Sequence, residues 1–356
     1  MTAMSMIRIP INHRSAWKAT DFKSKDDIAV ELTPKNLAAL DDLMRKARHS
    51  GRDLYDLTKS DFDHPDITGT LAEVRDEIMV GRGIVLLRRL PVERYTIEEA
   101  SILYWGIGTH FGNAVSQSVL GDRLGHVTDM TREDPHARAY RNNYEGSIHT
   151  DMSNVLGMLS VRQAQTGGLS RYASVAAIHN KILATRPELL EPLYRGFPRH
   201  RGGEHKPGEG AVTAENVPIL TYRNGLLNCR YVRTYIEAAA AEMGKPLPQD
   251  LKDALDYFDL VARDPEILFE CMLEPGDMTF MNNKTMLHGR TAFKDGDDPA
   301  ARRLLMRLWL DAPIGAPGVA DTEENAPGRG GIPKQEGKIP SFDYSKLGLA
   351  DRPRVS

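Results

Sequence analysis

Two segments far apart in the chain carry the residue types of a metal site. His149 and Asp151 stand two positions apart in a strand-like run, residues 147–151. Side chains at positions i and i+2 of a strand point to the same face, so this imidazole and this carboxylate can converge on one ion. Alone, the His-x-Asp triplet is a weak signal, because it also occurs by chance as an ordinary hydrogen-bonded surface pair.

A second histidine strengthens the signal. Pro275-Gly276-Asp277 predicts a turn, residues 278–281 a strand and Asn282-Asn283 its end, after which His288 lies in a mostly apolar run. Two histidines and one carboxylate on one face of an octahedral ion form the facial triad of non-haem Fe(II) oxygenases. With His149 and Asp151, His288 would supply the third ligand of such a metal site. A core histidine bonded to the backbone is the competing interpretation of His288.

Arginines near the last predicted strand suggest a second binding function. Strand alternation places Arg303 and Arg307 on the same face, together with Leu305. An inward-facing guanidinium is costly unless it meets an anion, and it binds a carboxylate through two parallel hydrogen bonds. The pattern predicts an anchor for a dicarboxylate cosubstrate, and a salt-bridged edge strand is the alternative. Arg302 directly precedes Arg303, so strand alternation by itself does not decide which of the two arginines is the anchor.

The elements that must position these residues follow from the hydrophobic period. Apolar residues recur at helical spacing in residues 34–49, 70–80 and 97–107, and residues 84–87 form a short buried-strand run. From about Gly125 the chain changes to short strand-like runs separated by turn residues, namely residues 127–128, 147–150, 155–163, 170–174, 219–222, 267–272, 278–281 and 304–310. Many short strands of this kind predict a barrel or a double sheet.

Helices and loops interrupt this β-rich region. Residues 175–185, 235–242 and 248–262 are predicted helices, which we expect to pack as one cluster on the sheet. Residues 197–212 lack a period and are rich in Arg, His, Gly and Lys, which predicts a long loop of the kind that often serves as a lid. Residues 315–340 are rich in Gly and Pro and predict an irregular tail.

The composition excludes several classes of protein. The 356 residues are 41% apolar and 27% charged, which excludes a disordered or collagen-like chain. The 46 basic and 49 acidic side chains nearly cancel, so nucleic-acid binding is not expected. The two cysteines, Cys229 and Cys271, lack a metal-type spacing, which argues against a disulfide framework. Neither a signal-peptide pattern nor a membrane-spanning apolar stretch is visible, so we expect a cytoplasmic protein without a membrane partner.

Taken together, these residues resemble the taurine dioxygenase and 2,4-dichlorophenoxyacetate dioxygenase family of Fe(II)- and 2-oxoglutarate-dependent oxygenases, within the clavaminate synthase-like superfamily, over residues 81–313. His149-Thr150-Asp151 resembles the family's His-x-Asp, His288 its distal histidine, and Arg303 its anchor for the far carboxylate of 2-oxoglutarate. Gly167-Gly168-Leu169-Ser170 resembles a Gly-Gly-x-Thr/Ser turn, whose hydroxyl, here that of Ser170, shares this carboxylate. Leu169 departs from the family, in which this position is often acidic. Arg307 resembles a second arginine near the cosubstrate and the substrate anion.

The resemblance implies an α+β fold with a double-stranded β-helix, the jelly-roll of cupin-like proteins, in a single domain covering residues 1–356. Residues 1–80 would be an N-terminal helical decoration, residues 81–313 the jelly-roll core with helical insertions, and residues 314–356 an irregular Gly/Pro-rich tail.

The resemblance also implies a chemistry. Fe(II), 2-oxoglutarate and O2 would oxidise a C–H bond of a small anionic or zwitterionic substrate, with hydroxylation preferred, and release succinate and CO2. Relatives that halogenate lack the metal carboxylate, so Asp151 favours hydroxylation, desaturation or ring closure over halogenation. Gln117, Asn143 and Tyr144 lie where relatives place substrate contacts, and Arg307 is a fourth candidate for such a contact.

Other interpretations stay open. A cupin-like metal enzyme that does not use 2-oxoglutarate would keep the metal ligands without needing Arg303, and a non-catalytic sensor on the same fold would bind a small molecule without turnover. The basic stretch 199–206 fits an anion contact or a solvated surface, and Arg230 and Arg233 fit structural ion pairs as well as ligands. The identity of the small-molecule substrate and the formation of a homo-oligomer are left undetermined.

Overall fold

Two β-sheets form the centre of the protein, which a computed structural model describes over residues 6–131, 141–205, 208–223, 225–313 and 330–337. The strands in chain order are β1 (Ala29–Glu31), β2 (Ile84–Arg88), β3 (Asn113–Ala114), β4 (Leu124–Val127), β5 (Gly146–His149), β6 (Val155–Arg162), β7 (Thr166–Gly167), β8 (Ser170–Ser174), β9 (Leu220–Arg223), β10 (Leu226–Cys229), β11 (Phe269–Cys271), β12 (Met278–Asn282), β13 (Met286–Arg290), β14 (Phe293–Lys294) and β15 (Leu304–Asp311).

The strands pair almost entirely antiparallel. The larger sheet has seven strands in the order β1-β2-β12-β6-β15-β3, with β4 paired to β15, and the smaller sheet has the order β11-β8-β13-β5. The strands β9 and β10 form a separate antiparallel pair, as do β7 and β14. Among these pairs only β1 and β2 run parallel.

Every second side chain of the strands points into the space between the two sheets. Along β2, Ile84 and Leu86 belong to the apolar cluster between the sheets, whereas Val85 and Leu87 face the helices on the other side. On β13, Met286 belongs to the cluster between the sheets and Leu287 to the opposite face. Because side chains alternate, His288 shares the inner face with Met286.

Helices cover the outer face of each sheet. In chain order they are α1 (Pro34–His49), α2 (Pro65–Val80), α3 (Ile97–Thr109), α4 (Val175–Thr185), α5 (Leu190–Arg195), α6 (Arg233–Glu242) and α7 (Gln249–Ala262). Buried side chains of α1 to α3 pack on the larger sheet, and those of α4 to α7 pack on the smaller one. Thr33 and Thr96 accept hydrogen bonds from the third residue of α1 and α3, which favours these starting points.

Most predicted elements exist, with shifted ends. The helices predicted at 34–49 and 175–185 match α1 and α4, whereas α2 begins five residues before the predicted Thr70. Pro65 occupies the first turn of α2 and His64 Nδ1 accepts from the Asp66 N–H, so capping starts this helix ahead of its apolar period. The strand predicted at 267–272 is only β11, and α5 was not predicted.

Segments from both terminal regions pair with the rest of the protein. The N-terminal segment predicted as helical decoration also supplies β1 to the larger sheet. Of the predicted tail, residues 314–329 and 338–356 lie outside the described residues, while Gly331 bridges Ser116 and Ile332 is buried. Among the described helices, none is long and apolar enough to cross a membrane.

Candidate active site

Two histidines face each other across neighbouring strands of the smaller sheet. His149 on β5 is the register partner of His288 on β13, and the centroids of their rings lie 4.3 Å apart. Residues directly opposite in an antiparallel pair present their side chains on the same face, so the pairing itself brings the two imidazoles together. His288 is 6% exposed and His149 is half-buried at the cavity wall.

Asp151 completes this cluster just beyond the end of β5. Its Oδ1 lies 3.6 Å from His149 Nε2 and its Oδ2 lies 3.5 Å from His288 Nε2. One donor atom from each of the three side chains lies within 4.8 Å of the other two. The structure therefore brings together all three residues that the sequence predicted as metal ligands.

The buried side chain of Asn283 holds the backbone that carries this carboxylate. Asn283 Oδ1 accepts from the Asp151 N–H at 3.0 Å, and its Nδ2 donates to the carbonyl oxygens of Asp151 and Ser153 at 2.7 and 3.0 Å. The Asn282-Asn283 sequence, predicted as a strand end, thus connects the loop that carries Asp151 to the segment that leads into β13.

The surrounding charges set the protonation states of the cluster. Burial raises the pKa of the Asp151 carboxyl, but the Arg307 guanidinium and the two adjacent imidazoles hold it well below its usual range. Burial and the neighbouring His149 lower the pKa of His288 to about 4. His149 Nδ1 lies 2.7 Å from the Ser147 carbonyl oxygen, and a carbonyl only accepts, so Nδ1 carries a proton and Nε2 is the ring atom directed at Asp151. An ionised carboxylate and neutral imidazoles are the forms that bind a metal.

Trp309 and Arg307 support the carboxylate from the larger sheet. Trp309 Nε1 donates to Asp151 Oδ2 at 2.9 Å, and Arg307 Nη1 lies 3.6 Å from the same oxygen. The Arg307 guanidinium stacks over the Trp309 ring at 4.9 Å, and its Nε donates to Gln117 Oε1 at 2.7 Å. Sequence reasoning missed Trp309, although it lies two residues beyond Arg307 on the same strand face.

Arg303 is a buried cation with an unused donor. It is 4% exposed, it stacks over the Phe293 ring at 4.9 Å, and its Nη1 has no hydrogen-bond partner among the described residues. Burial and the nearby Arg290 lower its pKa to about 10. The neighbouring Arg302 is outside the cavity lining, and its Nη1 donates to the Asp129 carbonyl oxygen at 3.1 Å. Of the two adjacent arginines, Arg303 is the one that faces the cavity.

The glycine pair before β8 leaves room for the Arg303 side chain next to the turn. Gly167 and Gly168 have φ values of 76° and 80°, which favour glycine. A Cβ on Gly167 would lie 2.3 Å from the Ala292 carbonyl oxygen, and one on Gly168 would lie 3.2 Å from Arg303 Nε. Ser170 follows the turn, is buried, and lines the same cavity as Arg303.

One cavity of about 420 Å³ joins these groups. His149, Asp151 and His288 line it, as do Ser170, Arg303 and Arg307; the remaining lining residues are Val127, Gly146, Thr150, Met152, Met158, Tyr172, Arg199, Gly202, Glu204, Val232, Thr234, Tyr235, Met281, Gly289, Arg290, Leu305 and Trp309. The volume lies within the range of small-molecule sites. The cavity holds cations at its walls, a carboxylate beside two imidazoles, and apolar side chains between them.

Three residues predicted to contact substrate lie outside this lining. Gln117 is 1% exposed. Its Nε2 donates to the carbonyl oxygens of Arg123 and Arg307, and its Oε1 accepts from Arg307 Nε. Tyr144 is 67% exposed, and the backbone carbonyl of Asn143 accepts from the Phe293 N–H. Gln117 orients Arg307 instead of reaching the cavity, and of the four predicted contacts only Arg307 lines it.

The predicted loop, residues 197–212, contributes part of the cavity wall through Arg199, Gly202 and Glu204. Lys206 of the basic stretch lies outside the described residues. Arg233 forms ion pairs with three acidic side chains at 2.6–3.0 Å and is a structural residue. Other lining residues that the sequence did not single out are Tyr235 on α6, Tyr172 on β8 and Arg290 on β13.

Two facing sheets that hold a His-Asp-His cluster beside a buried arginine have the architecture and chemistry of a non-haem iron oxygenase. The sequence model of the family described as "Taurine catabolism dioxygenase TauD, TfdA family" matches residues 49–309. The chain belongs to this family. It is an Fe(II)- and 2-oxoglutarate-dependent dioxygenase, which confirms the predicted family, enzyme class and cofactors.

Curated relatives match along most of the chain. It is 29% identical over 318 residues to "FR-33289 synthase" of Streptomyces rubellomurinus (strain ATCC 31215), covering 88% of this chain and 93% of the relative. It is 27% identical over 312 residues to "Taurine hydroxylase-like protein SAT17" of Stachybotrys chartarum (strain CBS 109288 / IBT 7711), covering 84% of this chain and 79% of that relative.

Solved structures share the fold at low sequence identity. An asparagine oxygenase in complex with Fe(II), 2S,3S-3-hydroxyasparagine and succinate superposes with a TM-score of 0.64 and 14% identity, covering 81% of this chain and 95% of the other. The non-haem iron oxygenase OrfP in complex with Fe and α-ketoglutaric acid gives a TM-score of 0.61 and 14% identity over the same shares of the two chains.

Proposed function

We propose that this protein hydroxylates a small anionic or zwitterionic molecule at a centre formed by His149, Asp151 and His288, and that it converts 2-oxoglutarate and O2 to succinate and CO2. The observation that carries the proposal is the convergence, in one cavity, of a cluster of two imidazoles and one carboxylate and a buried guanidinium with an unused donor.

The donor set fits Fe(II). Two imidazole nitrogens and one carboxylate oxygen are the ligand types of the facial triad, and they lie close enough together to share one ion. When bound, Fe(II) and 2-oxoglutarate together supply the activation of O2 for C–H oxidation. Trp309 and Asn283 hold the side chain and the backbone of Asp151, so its carboxylate is oriented in advance. The retained carboxylate favours hydroxylation over halogenation.

Arg303 and Ser170 are assigned to the far carboxylate of 2-oxoglutarate. The Arg303 guanidinium is buried, directed into the cavity and short of one hydrogen-bond acceptor, which a carboxylate supplies through its two oxygens. The Ser170 hydroxyl lines the same cavity. Tyr172, Leu305 and Met158 give this end apolar walls that exclude water from the bound anion.

The substrate class follows from charged lining residues other than Arg303. Arg199 and Glu204 carry both signs of charge, which suits a molecule with an anionic group and an ammonium group. The asparagine oxygenase with bound 2S,3S-3-hydroxyasparagine supports an amino-acid-like substrate, as does a second OrfP structure in complex with Fe, succinate and (3S)-hydroxy-L-Arg.

The finer description of the architecture belongs to the same proposal. The two facing antiparallel sheets support a double-stranded β-helix as the core of one domain that includes the helical insertions and the N-terminal segment. The small-molecule partner would enter the cavity between these sheets.

Anaerobic titration tests the centre directly. Fe(II) and 2-oxoglutarate added to the full chain should produce a visible charge-transfer band, which His288→Ala should abolish. A screen of amino acids, sulfonates and small carboxylic acids should then find a compound that raises succinate release. Absence of both the band and succinate contradicts the proposal. Turnover that persists without 2-oxoglutarate would favour the cupin-like metal enzyme, and ligand binding without turnover would favour the sensor.

A further inference from the structure

One cation at the cavity wall is used neither by the His-Asp-His cluster nor by the cosubstrate site. Arg199 is half-buried, and its guanidinium lies over the Tyr235 ring at 5.2 Å from the centroid. Among the residues that the structure describes, it forms no ion pair with a carboxylate. Burial and the nearby Arg230 lower its pKa to about 10, while the carboxylates of Glu204 and Asp151 act in the opposite direction.

The backbone around Arg199 is ordered by its own hydrogen bonds. The Arg199 N–H donates to Thr213 Oγ1 at 2.9 Å, and the Arg199 carbonyl accepts from the Thr213 N–H at 3.0 Å. The next residue, His200, donates its N–H to the Tyr235 carbonyl oxygen at 2.9 Å. These contacts tie the start of the loop to α6, so Arg199 is held against the cavity.

Arg199 and Arg303 reach the cavity from different parts of the fold. In the smaller sheet β13 lies between β8 and β5. Ser170, at the start of β8, lines the cavity together with Arg303. Beyond the β5 edge, Thr150 exchanges hydrogen bonds with Tyr231, which leads into α6 and the Arg199 loop. The charged neighbours of Arg199 include Arg230 and Glu204, whereas those of Arg303 are Arg290 and Asp295.

We propose that Arg199 binds the anionic group of the substrate, an oxyanion such as a carboxylate, sulfonate or phosphonate, while Arg303 binds the cosubstrate. This inference rests on the proposed function and adds to it the residue that selects the substrate. With the two anions held by separate arginines, the carbon skeleton of the substrate would lie in the part of the cavity that the His-Asp-His cluster lines. Guanidinium recognition of an oxyanion is bidentate, so a lysine would keep the charge and lose part of the geometry.

The test measures probe binding to the full chain loaded anaerobically with Fe(II) and 2-oxoglutarate. Butyrate, propane-1-sulfonate and propylphosphonate share a short skeleton with the neutral control butyramide, and calorimetry gives each Kd. We expect at least one charged probe to bind the wild type about tenfold or more tightly than butyramide. Arg199→Gln should reduce this preference to within about twofold, and Arg199→Lys should restore part of it.

A matched control comes from the same loop. Arg201 is ion-paired with Glu209 at 2.6 Å and is absent from the cavity lining, so Arg201→Gln should keep the wild-type preference. The Kd of 2-oxoglutarate should stay within about twofold of wild type in all these variants, which also shows that they are folded.

Two results would overturn the proposal: a wild type that does not prefer any charged probe over butyramide, or an Arg199→Gln variant that keeps the preference. If 2-oxoglutarate fails to bind the wild type, the proposed function fails separately. The same probes are then titrated into metal-free Arg303→Met protein, in which Arg199 is the remaining proposed anchor. The ranking of the three charged probes distinguishes a planar carboxylate from a tetrahedral oxyanion.

Discussion

Replacing the Arg303 guanidinium by an apolar side chain of similar length, Arg303→Met, separates ligand binding from folding. Arg303 is 4% exposed, and its pKa is lowered from 12.5 to about 10. This shift means that burying the charged guanidinium costs about 3 kcal/mol of folding free energy. Its stacking on Phe293 contributes about 1 kcal/mol in return. We therefore expect metal-free Arg303→Met protein to be as stable as wild type or up to about 2 kcal/mol more stable, unlike an ordinary core truncation.

Binding should change in the opposite direction. Removing one partner of a buried, hydrogen-bonded charge pair costs about 2–5 kcal/mol, which raises the Kd of 2-oxoglutarate about 30- to 4000-fold. Urea unfolding in the presence of a chelator measures the stability, and anaerobic calorimetry with Fe(II) measures the Kd. Saturating 2-oxoglutarate should stabilise the wild type, by about 2.7 kcal/mol at 100 times the Kd, and should leave the variant almost unchanged.

Arg302→Met is the matched control. Arg302 is equally buried, but its Nη1 donates to the Asp129 carbonyl oxygen. Its removal should destabilise the protein by about 1–3 kcal/mol and leave the Kd of 2-oxoglutarate unchanged. The reasoning is refuted if Arg303→Met binds 2-oxoglutarate within about threefold of wild type, or if it loses more than about 2 kcal/mol of stability.

Three further outcomes follow from contacts around the centre and in the core. Trp309→Phe removes the donor to Asp151 Oδ2 and should weaken Fe(II) binding about 10- to 100-fold in anaerobic calorimetry; an unchanged Kd would contradict the assigned contact. Asn283→Ala removes three buried hydrogen bonds, so it should lower both the unfolding midpoint and the Fe(II) affinity, and a loss of stability alone would limit Asn283 to a folding role. Burial lowers the pKa of His110 and His179, so below pH 6.5 the unfolded chain binds protons that the folded chain does not, and stability should fall as the pH decreases from 6.5. Urea midpoints at pH 7.5 and about 5.5 measure this loss, and His110→Gln, which keeps a donor for the Phe62 carbonyl oxygen, should reduce it.

The ligand residues on β5 and several helices were predictable because each depends on residues that are close together in the sequence. His149 and Asp151 are two residues apart, and the helices α1 and α4 follow from capping residues and apolar period within one segment. The Gly167-Gly168 pair was likewise visible in the sequence, since only glycine takes those φ values without strain. These features depend on neighbours along the chain.

The choice between Arg302 and Arg303 needed the tertiary structure. The pairing of β15 with β6 shifts register between Leu304 and Leu305, so alternation counted back from Arg307 is not reliable across that point. Both arginines are buried, and only their partners distinguish them.

The sequence alone determined the metal-ligand candidates and most elements, because these follow from residue type and local period, and the enzyme family followed from the resemblance of its motifs to a known family. The tertiary structure decided that Gln117 orients Arg307 from outside the cavity, that Trp309 donates to Asp151, and that Arg199 reaches the cavity from a distant loop. Such contacts join residues far apart in the chain, and their existence depends on strand register and on the path of the loop, which no local pattern specifies.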